Sequence, residues 1–363
     1  MANKKKVFNF GAGPAVLPRE VMEQAQAELL DWNGTGISVI EMSHRSKNFL
    51  SIAEQAEVDL RDVLGIPANY KILYVQGGAT ALMSMVPLNL LAQGGTGDYL
   101  LTGNWSDKAY GEAKRLAKTN VAATSKAEKF YTIPERNSWK LSSDSAYLYY
   151  TENETITGVE FADIPDVGPI PLVCDMTSNF LSRPFDVSKY GIVFASAQKN
   201  FGPAGFACVV IREDLIGKAG PQVPFLCDFK IYADNESMFN TPPTFNWYFA
   251  GLVYKWIKRE GGLSVMDDRA MERSGKLYAA IDSSDFYSNP IDKKFRSRMN
   301  VPFILRDDAL NDTFLAEAKQ NGFLELKGHR SVGGMRASIY NGMPMEGIDA
   351  LIAFMRDFEQ RHG

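Results

Sequence analysis

Short apolar runs that alternate with segments of helical spacing constrain this chain more than any other feature. Runs at 71–76 (KILYVQ), 99–101, 147–150, 171–174, 192–195 and 206–211 hold few polar residues. Strands of that kind are buried on both faces, as in a parallel sheet covered by helices. Between and before them lie helical patterns. Residues 19–32 carry Val21, Met22, Ala25, Leu29 and Trp32 at helical spacing, residues 51–64 end at Gly65 and Pro67, and 79–91 follow Gly77-Gly78. Only about ten residues separate the last run from its predecessor, too few for a helical crossover, so that strand is expected to be antiparallel.

The rhythm changes around Gly261-Gly262. A helix over 245–260 ends there and another begins near Leu263. Shorter elements follow: strands at 301–305 and 335–340, helices at 310–320 and 345–360. The pattern predicts a large α/β domain over 15–260 and a smaller α+β domain over 261–363. Residues 1–14 are grouped with the small domain, although the residues themselves leave open which domain they pack on. A chain of 363 residues suits about two domains.

A net charge of −4 gives no sign of a nucleic-acid or membrane partner, and no apolar stretch is long enough for a membrane span. Lys4, Lys5 and Lys6 are not followed by the apolar core of a signal peptide and read as a solvated tail. Cys174, Cys208 and Cys227 have no metal-like spacing, and no metal is expected. Cys174 and Cys208 sit in strand runs and read as buried free thiols, which fits a reducing cytoplasm.

Two charged residues close apolar runs. Asp175 ends PLVCD, and Lys199 follows GIVFASAQ, with Gly202, Pro203 and Gly205 turning the chain after it. In open α/β sheets ligands bind at such strand ends. Alone, the lysine could be a strand-end residue with a solvated head and the aspartate a helix cap. In order on consecutive strands, they are the two parts a pyridoxal-phosphate (PLP) enzyme needs. A lysine forms an imine with the cofactor aldehyde, and a carboxylate keeps the pyridine nitrogen protonated. Gly77-Gly78-Ala79-Thr80 joins strand to helix and offers free N–H groups and a hydroxyl to a phosphate, or is a plain tight turn. Trp105, in a loop after the 99–101 run, can stack on a flat cofactor or pack on a helix. Ser196 and Gln198 can hydrogen-bond the phosphate and the ring oxygen.

Several stretches together resemble the phosphoserine aminotransferases, class V aminotransferases of PLP fold type I, over essentially the whole length. They include FNFGAGPA (8–15), MSHRS (42–46), QGGAT (76–80), NET (153–155), CDMTS (174–178), ASAQKN (195–200), NTPPT (240–244), GHR (328–330) and GMRAS (334–338). AQKN with NTPPT is highly specific for this family. The resemblance implies a mostly parallel seven-stranded sheet in the large domain. It also implies ping-pong amino transfer from L-glutamate to 3-phosphohydroxypyruvate in L-serine biosynthesis, and leaves a part in pyridoxine biosynthesis open. Lys199 would be the Schiff-base lysine and Asp175 the pyridinium partner. Trp105 would stack on the ring, Thr155 and Gln198 would lie near its hydroxyl, and Ala79, Thr80 and Ser196 would hold the phosphate. Asn240 and Thr241 would reach the cofactor of the other subunit in a homodimer. Arg336 would clamp the α-carboxylate, and His44, Arg45, His329 and Arg330 would receive the distal phosphate or γ-carboxylate. Each His–Arg pair taken alone reads first as a surface charge pair. The sequence departs from some relatives at Thr80, where they carry an arginine, so substrate phosphate must be met by other cations.

Three rivals are weighed against this reading. An alanine–glyoxylate or serine–pyruvate aminotransferase has no need of the extra cations. A cysteine desulfurase needs an exposed cysteine on a mobile loop, and the neighbours of Cys227 (Phe225, Leu226, Phe229) read as buried. A non-catalytic α/β binding protein leaves the Lys199–Asp175 pair as coincidence.

Overall fold

The structure, a computed structural model, describes residues 6–363. Lys4 and Lys5 lie outside the described residues; Lys6 pairs with Glu346 at the surface. The chain opens with β1 (Phe8–Asn9), α1 (Arg19–Ala27) and α2 (Lys47–Leu64). Strand and helix then alternate through β2 (Tyr70–Gln76), α3 (Gly78–Leu90), β3 (Thr96–Leu101), α4 (Asn104–Ala113), β4 (Thr119–Thr124) and β5 (Ser145–Thr151). The hairpin of β6 (Asn153–Glu154) and β7 (Val159–Glu160) leads into β8 (Leu172–Asp175), β9 (Ile192–Ser196) and β10 (Phe206–Arg212). After α5 (Phe229–Asp234), α6 (Thr244–Arg259) and α7 (Leu263–Asp282) come β11 (Tyr287–Ser288), β12 (Asn300–Leu305), α8 (Asn311–Gln320), β13 (Phe323–Leu324), β14 (Met335–Ser338) and α9 (Met345–His362).

The main sheet has seven strands in the order β2-β10-β9-β8-β5-β3-β4. All neighbours are parallel except at β10, which is antiparallel to both β2 and β9, as its short connection requires. Alternate side chains enter opposite cores. Tyr74, Leu148, Tyr150, Cys174, Val193 and Cys208 join the cluster under α2 and α6. Leu73, Val75, Tyr149, Val173, Phe194 and Val209 join the one under α3, α4 and α5. Burial on both faces contributes about 1.5–3 kcal/mol for each large apolar side chain, which explains why the central runs are apolar throughout.

A second body is built on the three-stranded antiparallel sheet β11-β12-β14. Phe303, Phe314, Phe354 and Phe358 form its centre with the C-terminal half of α7. Phe8 and Phe10 pack into the same cluster, and β1 pairs in parallel with β13. Helix α7 serves both cores, with Leu263 and Met266 in one and Leu277 and Ile281 in the other.

Four local expectations are corrected. The first helix stops at Ala27 instead of Trp32, because Met22 and Leu29 are exposed and Asn33-Gly34 adopts positive φ. The second begins at Lys47, where the Ser46 hydroxyl caps the Phe49 N–H at 3.2 Å. Trp105 stands in the first turn of α4, not in a loop. Near Cys227, only Phe229 is buried; Phe225 is 65% exposed and Leu226 47%. Cys174 and Cys208 are buried free thiols.

Candidate active site

The carboxyl ends of β2, β5, β8 and β9 meet along one edge of the main sheet and border a cavity of about 250 Å³. Eight residues anticipated from the sequence line it: Ala79, Thr80, Trp105, Thr155, Asp175, Ser196, Gln198 and Lys199. The arrangement follows from topology. Asp175 ends β8, Lys199 comes three residues after β9, and the two strands are parallel neighbours.

Lys199 is 6% exposed. Its Nζ lies 2.5 Å from Thr155 Oγ1 and 2.9 Å from Ser178 Oγ, and these two hydroxyls are themselves 2.7 Å apart. Burial pushes the amine down from 10.5 to about 8; Asp175 and Glu154 pull the other way and Arg336 adds to the lowering. Asp175 is 4% exposed and burial raises its carboxyl, opposed by Thr177 and Lys199. Its Oδ1 accepts the Thr177 N–H at 2.9 Å, which fixes the carboxylate in a turn instead of at a helix start.

One wall of the cavity is the N-terminus of α3. Among the described residues no side chain caps this helix, so its first N–H groups can meet an anion. Gly77 and Gly78 both have positive φ, and a Cβ on Gly78 would come within 2.8 Å of Ser196 Oγ, so only glycine admits that approach. Trp105 also lines the cavity, with its ring centroid 5.9 Å from Lys199 Nζ.

The residues fit pyridoxal phosphate. Three lining groups, Trp105 Nε1, Thr151 Oγ1 and Asn153 Oδ1, are buried with no hydrogen-bond partner among the described residues. Buried polar atoms are rarely left so, and a polar ring filling the cavity offers them partners. An uncapped helix end suits a phosphate, a lowered lysine suits an aldehyde and a buried carboxylate suits a pyridine nitrogen.

Other anticipated residues lie elsewhere. Arg336 does not line the cavity, but its Nη1 donates to the Thr155 carbonyl at 3.3 Å and its Nε is buried without a partner among the described residues. His329 Nδ1 contacts Ser331 Oγ at 2.8 Å, and burial with the Arg336 and Arg330 charges lowers its pKa. Arg330 is exposed. His44, Arg45, Asn240 and Thr241 are outside the cavity of their own chain. Thr244 Oγ1, however, donates to Val39 O at 3.0 Å, which ties the His44–Arg45 loop to the Asn240–Thr241 segment.

Sequence reasoning gave no role to Ser178 or Glu154. Ser178 is the second hydroxyl on the lysine. Glu154 is fully buried and accepts from the N–H groups of Trp105 and Ser106, both at 2.9 Å. Both lie in stretches that carried the resemblance, yet only the packed structure reveals their partners.

Residues 7–351 match the family model described as Aminotransferase class-V. A phosphoserine aminotransferase of Hahella chejuensis is 55% identical over 362 residues, all of both chains. The solved phosphoserine aminotransferase of Bacillus circulans subsp. alkalophilus superposes with a TM-score of 0.97 at 44% identity, covering 99% of each chain. A PLP-bound phosphoserine aminotransferase from Trichomonas vaginalis gives 0.93 at 46% identity, over 97% of this chain and all of that one. With the lysine, carboxylate and helix terminus arranged as above, the chain belongs to the phosphoserine aminotransferases, PLP-dependent class-V aminotransferases of fold type I.

Proposed function

We propose that this chain moves the amino group of L-glutamate to 3-phosphohydroxypyruvate, giving O-phospho-L-serine and 2-oxoglutarate for serine biosynthesis. The observation that carries the reading is a buried Lys199 held by Thr155 and Ser178 beside Asp175, at the mouth of an uncapped helix. When bound, pyridoxal phosphate supplies an aldehyde that condenses with amines and a ring that takes up electrons. Ala79, Thr80 and Ser196 would hold its phosphate and Trp105 its ring face. Gln198 and Thr155 would reach its hydroxyl, and Asp175 would keep its ring nitrogen protonated. Lys199 Nζ, neutral above about 8, removes the proton from the substrate Cα and returns it on the other side of the transfer. Arg336 would receive the α-carboxylate in a forked contact, and His329 and Arg330 the distal anionic group.

The working form is a homodimer in which Asn240 and Thr241 serve the partner's cofactor. Because Thr244 and Val39 tie the two segments together, His44 and Arg45 would enter that same site. Exposed Ile37, Ile40, Phe225, Leu226 and Phe239 supply the apolar surface such an interface needs. Among the described residues no helix is long and apolar enough to cross a membrane, which fits a cytoplasmic enzyme. A part in pyridoxine biosynthesis would use the same site on a related phosphorylated keto acid.

The test is a coupled assay with glutamate and 3-phosphohydroxypyruvate as the only substrates, run beside pyruvate and glyoxylate as acceptors. Turnover confined to the phosphorylated acceptor, and lost in Lys199→Ala, is expected. Equal rates with glyoxylate would move the chain to the alanine–glyoxylate activity.

A further inference from the structure

Glu154 is a buried carboxylate without an ion pair among the described residues. The neighbouring buried acids have one: Glu152 pairs with Arg183, and Glu160 with Arg298. A buried acid without such a partner binds its proton more tightly, unless hydrogen-bond donors hold the carboxylate instead. The Glu154 carboxyl is raised to about 7, first by burial, while Ser106 and Trp105 hold it down. What it meets instead of a cation is the start of α4.

Helix α4 has Gly103 at its cap position, which offers no side chain to the free N–H groups. Glu154 fills that role from another strand. Its Oε2 accepts the Trp105 N–H, and its Oε1 accepts the Ser106 N–H at 2.9 Å and the Ser106 hydroxyl at 2.6 Å. Ser106 Oγ in turn accepts from the Thr102 and Gly103 N–H groups at 3.0 and 3.1 Å. The glycine leaves the space that Glu154 occupies: a Cβ at position 103 would lie 2.2 Å from the Glu154 carboxyl carbon. The contrast with α3 is chemical. One helix end beside the cavity is left open, and the other is closed by a carboxylate.

One backbone N–H that Glu154 holds belongs to Trp105, which lines the cavity with its ring 5.9 Å from Lys199 Nζ. Glu154 itself does not line it. We infer that Glu154 is a positioning residue, whose carboxylate fixes the first turn of α4 and through it the Trp105 ring at the cofactor cavity. This rests on the reading of Trp105 as a cofactor contact, so the experiment separates the two.

In cofactor-free protein, the emission of Trp105, taken as the difference from the Trp105→Phe variant, should shift to the red in Glu154→Ala and less in Glu154→Gln. An unshifted spectrum overturns the inference whatever Trp105 touches. The dissociation constant for PLP, titrated by the absorbance of the bound cofactor, should rise about tenfold in Glu154→Ala, the counterpart of one lost helix cap. In a Trp105→Phe background the same substitution should add less than twofold. A full tenfold rise there would mean that Glu154 acts by another route and overturns the inference. Should Trp105→Ala leave the PLP affinity unchanged while the emission shift persists, the reading of Trp105 fails and the positioning by Glu154 stands. If Glu154→Ala does not fold, Glu154→Gln carries the same measurements.

Discussion

Replacing Lys199 by methionine should stabilise the cofactor-free protein while destroying its activity. The amine is buried, and burial lowers it to about 8 from 10.5. That difference corresponds to about 3 kcal/mol of destabilisation while the lysine is charged in both folded and unfolded chains. The sign follows from proton counts. Between about 8 and 10.5 the unfolded chain binds the proton and the folded one does not, so wild-type stability rises with pH through that window. The penalty is complete below about 8 and absent above about 10.5. Methionine fills a similar volume without charge, and the Thr155 and Ser178 hydroxyls keep each other as partners at 2.7 Å. At about pH 6.5 the variant should therefore be the more stable by about 3 kcal/mol, falling to about 1 kcal/mol at about pH 9.5. For a chain of this length the larger figure is about 4 °C in melting temperature. Scanning calorimetry of both cofactor-free proteins at the two pH values measures it. A variant no more stable than wild type at the lower pH, or a gap that does not narrow on going up, would refute a buried, downshifted amine.

Asp175→Asn keeps an oxygen for the Thr177 N–H but removes the charge, so kcat should fall by about a hundredfold or more with the melting temperature little changed. Steady-state rates beside a thermal melt check it. Arg336→Lys keeps the charge and loses the fork, and should raise KM for glutamate about tenfold with a smaller loss in kcat. Heterodimers of Lys199→Ala with a protomer carrying both Asn240→Ala and Thr241→Ala should recover one intact site, where each parental homodimer is inactive. No recovery on co-expression would place both segments in their own chain's site.

The sequence made legible what depends on contiguous patterning. Lys199 and Asp175 close apolar runs, and those runs exist because alternate residues of β8 and β9 enter two cores. The reversal of β10 was readable from chain length alone. What stayed hidden depends on partners remote in sequence. Strand β4 lies at the sheet edge with only Ala122 fully buried, so it lacks the apolar run that marks its neighbours. Helix α4 went unread because its cap is Glu154, 49 residues beyond Trp105, while Gly103 gives no local start signal. The exposed Phe225 and Leu226 read as core because hydrophobicity does not distinguish an interior from a surface awaiting a partner.

The hairpin of β6 and β7 explains how both bodies of the chain act on one amine. Asn153 Nδ2 donates to Asn300 Oδ1 at 2.8 Å, at the start of β12. Glu154 holds α4, and Thr155 holds Lys199 with its hydroxyl and Arg336 with its carbonyl. At the far end Glu160, which is buried, accepts from the guanidinium and the backbone N–H of the half-buried Arg298. Arg336 and Lys199 therefore share one residue as support, and the arginine's charge helps to keep the amine unprotonated. Under the proposed reaction, a substrate carboxylate on Arg336 cancels that charge. Protonated lysine then becomes easier to form, which is the change wanted of a base about to take the proton from Cα. Lysine is thus a weaker base while Arg336 is unpaired and a stronger one once a substrate carboxylate is bound, and the segment 153–155, which holds both side chains, couples the two conditions.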